Sequence, residues 1–86
     1  MTYSYEKAVH VDEDRDVVWS RVVDATGEPM IAVEMSREFL ADRLQVAWRD
    51  KSEVRTAFEY ERGRYLESAI AAARAGEPVL KVYSKG

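Results

Sequence analysis

The stretch from Ser52 to Gly76 most limits what this chain can fold into. It lies in the longest run without proline, and only Gly63 interrupts it before Gly76 and Pro78 close it. At about 100° per residue, Val54, Phe58, Tyr65, Ala69, Ala72 and Ala73 share one stripe, with Leu66 at its edge. The spacing predicts one amphipathic helix over 53–75, roughly 34 Å long at about 1.5 Å per residue. One residue on the stripe is out of character. Arg62 projects between Phe58 and Ala69, where a plain amphipathic helix would carry an apolar side chain. An arginine there must either snorkel past the edge of the core or meet a carboxylate, because a buried unpaired guanidinium costs several kcal/mol. Glu34 is the expected internal partner, in a structural ion pair with Arg62. The other outcome is recognition of an external acidic group.

The segments before this helix read as strands. Tyr3, Tyr5, Val9 and Val11 alternate with Ser4, Glu6 and His10, and Lys7 is the exception to the pattern. A polar DEDRD break at 12–16 precedes the β-branched and aromatic run VVWSRVVD at 17–24, so the two runs form a hairpin. The TGEP stretch at 26–29 is turn chemistry, and MIAVEM at 30–35 is a third strand with Ile31, Val33 and Met35 on its apolar side. Ser36 is an N-cap, Glu38 favours the first turn, and Met35 with Leu40 makes a hydrophobic staple. A first helix from 37 to about 48 then buries Phe39, Leu40, Leu44 and Ala47, with Trp48 at its end. Ser52 is the expected second N-cap, Gly76 the residue after the long helix, and VLKVY at 79–83 a closing strand. The order β-β-β-α-α-β implies one α+β two-layer domain over 1–86, an antiparallel meander sheet with helices packed on one face.

Composition excludes more than it assigns. The chain has no cysteine, hence no disulfide, thiolate nucleophile or Cys-bound zinc, and no apolar run long enough to span a membrane. The N-terminus has no basic segment followed by an apolar one, so a cytoplasmic, non-secreted protein is expected. Arginine outnumbers lysine nine to four, which with the frequent alanine suggests a bacterial source. Net charge is −3, and residues 1–30 alone carry three basic and seven acidic side chains. Nucleic-acid binders concentrate positive charge, so a nucleic-acid partner is not expected here.

No catalytic arrangement stands out. Asp12, Asp14 and Asp16 have the opening spacing of a calcium loop, but Val17 stands where the turn glycine belongs and Val23 where the bidentate glutamate belongs. The acidic stretch reads as a solvated turn. His10, the only histidine, reads as an exposed strand residue near Val18 or Ser20 across the hairpin, with no strained serine turn to serve. Glycine-rich phosphate loops are absent, and no cofactor or metal is expected. Glu59 with Arg62 and Glu61 with Arg64 read as surface pairs three residues apart, each worth a few tenths of a kcal/mol. Arg55, Arg64 and Arg74 fit a solvated face. Tyr60 lies on the far side of the helix from Phe58, and with Arg55 and Arg64 it forms a candidate interface.

AFEYERGRYLESAIAAARAGEPVLKV at 57–82, with Phe58 followed four residues later by Arg62, resembles a family of short bacterial proteins known only as a domain of unknown function. VEMSREFL at 33–40 resembles that family's strand, serine cap and helix, whereas its charged, Asp-rich ending is lacking here. The resemblance implies an α+β fold and no activity. The expectation is therefore a protein that works by protein–protein contact, with an unknown partner or as a homodimer, and not an enzyme. The alternative is a nucleic-acid-binding or regulatory module using Arg55, Arg62, Arg64 and Lys81. An enzyme or ligand-binding protein built on His10, Glu34 and Arg62 is a third reading.

Overall fold

The computed structural model describes residues 2–44 and 50–83, Leu44 by its backbone only. The expected burial of Leu44 and Ala47, and the place of Trp48, fall outside the described side chains. Five strands and the helical segments form an α+β domain: β1 (Ser4–Tyr5), β2 (His10–Asp12), β3 (Val17–Val23), β4 (Pro29–Ser36), α1 (Arg37–Leu44), α2 (Lys51–Arg62), α3 (Leu66–Arg74) and β5 (Val79–Val82). The single helix expected over 53–75 is divided: α2 ends at Arg62, and a turn of 3-10 helix at Gly63–Tyr65 joins it to α3.

The first expected strand is two strands. β1 and β2 both pair antiparallel with β3; the Glu6 amide still donates to the Arg21 carbonyl at 2.9 Å, and residues 7–9 leave the ladder between them. Lys7, the residue that breaks the alternation, lies in this gap. β3 pairs antiparallel with β4, as the meander requires. β5 then lies parallel to β4 on its other side, so the sheet is mixed and its path runs β1-β3-β4-β5 with β2 beside β1 on the same flank of β3. The helical segment between β4 and β5 makes this parallel return possible, since parallel neighbours need a long crossover.

Period-two alternation decides what is buried. Val18 and Val22 of β3 and Ile31, Val33 and Met35 of β4 point to the helix side, where they meet Leu40, Val54, Phe58 and Ala69. All nine are less than a twentieth exposed. The helices cover this face of the sheet alone among the described residues.

The turn chemistry follows the sequence with one change. The Ser36 hydroxyl accepts from the Phe39 amide at 3.1 Å, which makes Ser36 the cap of α1. The cap of α2 is Asp50 rather than Ser52: its carboxylate accepts from the amides of Ser52 and Glu53 at 3.0 and 3.3 Å. Both residues are capping types, and the carboxylate at the earlier position reaches two orphan amides at once. At the far end Gly76 has φ of +87°, Glu77 N–H donates to the Ala72 carbonyl and Gly76 N–H to Ala73, a Schellman closure. In the TGEP turn Asp24 accepts from the Thr26 hydroxyl and from the Thr26 and Glu28 amides, and these bonds hold its carboxyl below the usual range.

Candidate interaction surface

Arg62 and Glu34, expected to meet, sit on opposite faces of the sheet. Arg62 lies at the end of α2, and its Nη1 donates to the Ser20 hydroxyl at 2.9 Å and the Glu6 carbonyl at 3.3 Å. Its guanidinium rests 4.7 Å from the Tyr5 ring centre and 5.9 Å from that of Phe58. The Tyr5 hydroxyl donates back to the Arg62 carbonyl at 2.6 Å, and burial pushes the Tyr5 phenol up to about 12 against the pull of the arginine. Ser20, fully buried, donates to the Ala8 carbonyl at 3.0 Å. Arg62 thus sits where residues 7–9 leave β3 and binds the Glu6 carbonyl, since the Arg21 amide bonds the Glu6 carboxylate instead. Gaps in a ladder must be satisfied, and here a side chain does it.

Glu34 stands in β4 on the face away from the helices, opposite Trp19 in the β3 register. It is 8% exposed because Arg15, reaching back from the hairpin turn, closes on it through Nη1 and Nη2 at 3.1 and 3.2 Å. The Tyr83 hydroxyl adds a donor at 3.1 Å. Arg15 was missed as a partner in the sequence because it lies in a turn, where only the hairpin's curl brings it over the sheet. The bond to Glu34 raises the guanidinium's pKa, and burial chiefly raises that of Tyr83.

Trp19 is the centre of this face. His10 pairs with it across β2 and β3 and stacks at 4.1 Å, with 21° between the rings. The four-residue turn 13–16 sets that register, so His10 faces Trp19 rather than Val18 or Ser20. Arg21, two residues along β3 and therefore on the same face, places its guanidinium 4.9 Å from the Trp19 ring centre. Glu6 frames the row: its Oε2 accepts from the Arg21 amide at 2.7 Å and lies 3.7 Å from His10 Nε2. Lys81 of β5 is in register with Glu34 on the same face, and it is exposed. Aromatic, cationic and anionic groups are therefore lined up across an uncovered sheet surface.

The other candidates are spread apart. Tyr60 is 65% exposed on the outer side of α2, and Arg55 is exposed on the same helix. Arg64 lies 3.3 Å from Glu61 Oε1, but the pair is not a simple surface one: Glu61 is 1% exposed and also meets Arg43 of α1 at 3.5 Å. Glu61 is three residues from Phe58 and seven from Val54, spacings that put it on the buried stripe. Arg55, Arg62, Arg64 and Lys81, grouped in the nucleic-acid reading, do not share a surface: Arg62 faces the core edge, Arg64 a buried carboxylate, and Lys81 the opposite side of the sheet.

The acidic turn is tied down as well. Asp12 Oδ1 accepts from the Arg15 amide, Glu13 meets Lys51 at 3.0 Å and Asp16 meets Arg37 at 3.9 Å. A groove of about 510 Å³ runs past Arg15, Asp16, Val17, Ser36, Arg37, Glu38 and Tyr83. Its size suits a small ligand. The cations at its wall are nevertheless engaged by carboxylates of the chain itself. In comparisons with protein-family models, curated proteins and solved structures, no match to this chain was found.

Proposed function

We propose that the protein acts by contact with other protein chains, as a small cytoplasmic bacterial protein without chemistry of its own. The ordered row His10–Trp19–Arg21 on the uncovered side of the sheet carries this reading. Tryptophan and arginine are the residues most enriched at energetic centres of interfaces, and here they are held in place before any partner arrives. The polar groups that a reaction would need support the same reading by their engagement elsewhere. Arg62 is bonded to β3 and the residues beside it, Glu34 to Arg15 and Tyr83, and His10 is stacked on Trp19. At the groove the Ser36 hydroxyl caps α1 and Asp16 faces Arg37.

Affinity capture from the source cells tests this reading. Wild-type protein is compared with Arg21→Glu and with Tyr60→Ala, which disrupts the outer face of α2. The expected result is a specific complex whose yield falls about tenfold or more with Arg21→Glu and is unchanged with Tyr60→Ala. Capture that depends on Tyr60 instead would move the interface to the helix. A protein with neither a partner nor a self-complex would end the reading.

A further inference from the structure

The two edges of the sheet differ. On the β1–β2 side the edge is cut into strands of two and three residues by the departure of residues 7–9. Such short, interrupted strands are a common protection against pairing with other chains. The β5 edge has no such interruption. Pro78 precedes it, and Val79, Leu80 and Val82 leave Lys81 as its single charge.

The polarity of this edge follows from one bond. Ala32 N–H donates to the Pro78 carbonyl at 3.3 Å, so Pro78, Leu80 and Val82 turn their backbone groups toward β4. The intervening Val79, Lys81 and Tyr83 turn theirs outward. Among the described residues, no backbone partner is assigned to these outward groups. β5 is thus a regular four-residue strand paired on its β4 side only among the described residues, with the 41%-exposed Tyr83 at its end.

We infer that β5 pairs antiparallel with β5 of a second copy, on a two-fold axis through Lys81. This rests on the reading that the protein works through protein contacts, and it names one partner. In that register the outward groups meet outward groups, giving about six backbone hydrogen bonds. Leu80 faces Val82 of the second copy on the helix side, twice by symmetry, and Val79 faces Tyr83 on the open side, again twice. The exposed tyrosine thus gains an apolar neighbour. Lys81 meets Lys81, the one unfavourable pair, and this limits the strength of the contact. The two-fold axis stands perpendicular to the sheet, so both helix layers lie on one side and both Trp19 rows on the other. The pairing therefore builds one continuous open face from two. A contact of this size belongs to the weak, reversible class of interfaces.

Sedimentation of the intact chain up to about 1 mM tests the pairing. Wild type is expected to show a reversible dimer. Lys81→Pro, which removes an outward N–H without touching the β4 ladder, is expected to be monomeric with an unchanged far-UV dichroism spectrum. Mixing wild type with Lys81→Glu places opposite charges on the axis, and the mixed dimer is expected to form about 2- to 10-fold more tightly than the wild-type dimer. A wild type that stays monomeric throughout overturns the inference, while the capture experiment still decides the broader reading. A dimer that Lys81→Pro leaves intact also overturns it, and moves self-association to another surface. Equal affinity in the mixture excludes the Lys81-centred register.

Discussion

Arg62 shows how a charge on an apolar stripe is accommodated without a counter-charge. Its guanidinium lies against the Tyr5 and Phe58 rings and bonds a hydroxyl and a carbonyl where the strand pairing fails. Replacing it by Met keeps the stem and removes the donors, leaving the Glu6 carbonyl and Ser20 hydroxyl short of a partner. Arg62→Met is expected to lower unfolding free energy by about 1–3 kcal/mol, read from denaturant midpoints. An unchanged midpoint would mean that water serves this gap equally well. Tyr5, on the other side of the same gap, gives a pH signature. Its folded-state value of about 12 exceeds the ordinary 10.0, so the unfolded chain releases the phenolic proton first as pH rises. Stability is thus unaffected by Tyr5 below about pH 10 and falls between about pH 10 and 12. Tyr5→Phe should reduce the slope of stability against pH in that window, whatever it does at neutral pH.

At the scale of elements, the glycines at the α2–α3 junction and after α3 have opposite roles. Gly63 has ordinary helical angles, φ −58° and ψ −28°, and a Cβ there meets nothing within 4 Å. Gly63→Ala is expected to stabilise by about 0.4–1 kcal/mol, through the lost freedom of the unfolded chain. Gly76, at φ +87°, closes the Schellman turn, and Gly76→Ala is expected to destabilise by about 1 kcal/mol. Thermal melts of the two variants check the sign as well as the size. Both sites were legible in the sequence, as were the α+β order, the Ser36 cap and the apolar face of β4, because each is set by local spacing or by a single residue's backbone preference. What local spacing cannot fix was missed. The split of the first strand depends on how residues 6–9 meet Ser20 and Arg62, the parallel placement of β5 on where the helices return the chain. Arg15 reaches Glu34 only once the hairpin has curled, and the Asp50 cap competes with an equally plausible Ser52.

For the molecule as a whole, the helices and one sheet face use nearly all of the large apolar residues, and Tyr60 and Tyr83 are the large hydrophobics left exposed among those described. None of its described helices is long and apolar enough to cross a membrane. The groups that stood out in the sequence, Arg62 and Glu34, are each satisfied within the fold, on opposite sides of the sheet. The row on the open side was only half legible: Trp19, His10 and Arg21 were visible as residue types, but their grouping needed the turn length that sets the β2–β3 register. Because this row is ordered in the free chain, binding through it would forgo much of the usual cost of immobilising side chains. The most direct test is an amide spectrum of the isotopically labelled protein, recorded in buffer and then in unlabelled lysate of the source cells. Line broadening confined to β2, β3 and β5 is the predicted result. Broadening centred on Arg55, Tyr60 and Arg64 of the helical layer, or none at all, would contradict the account.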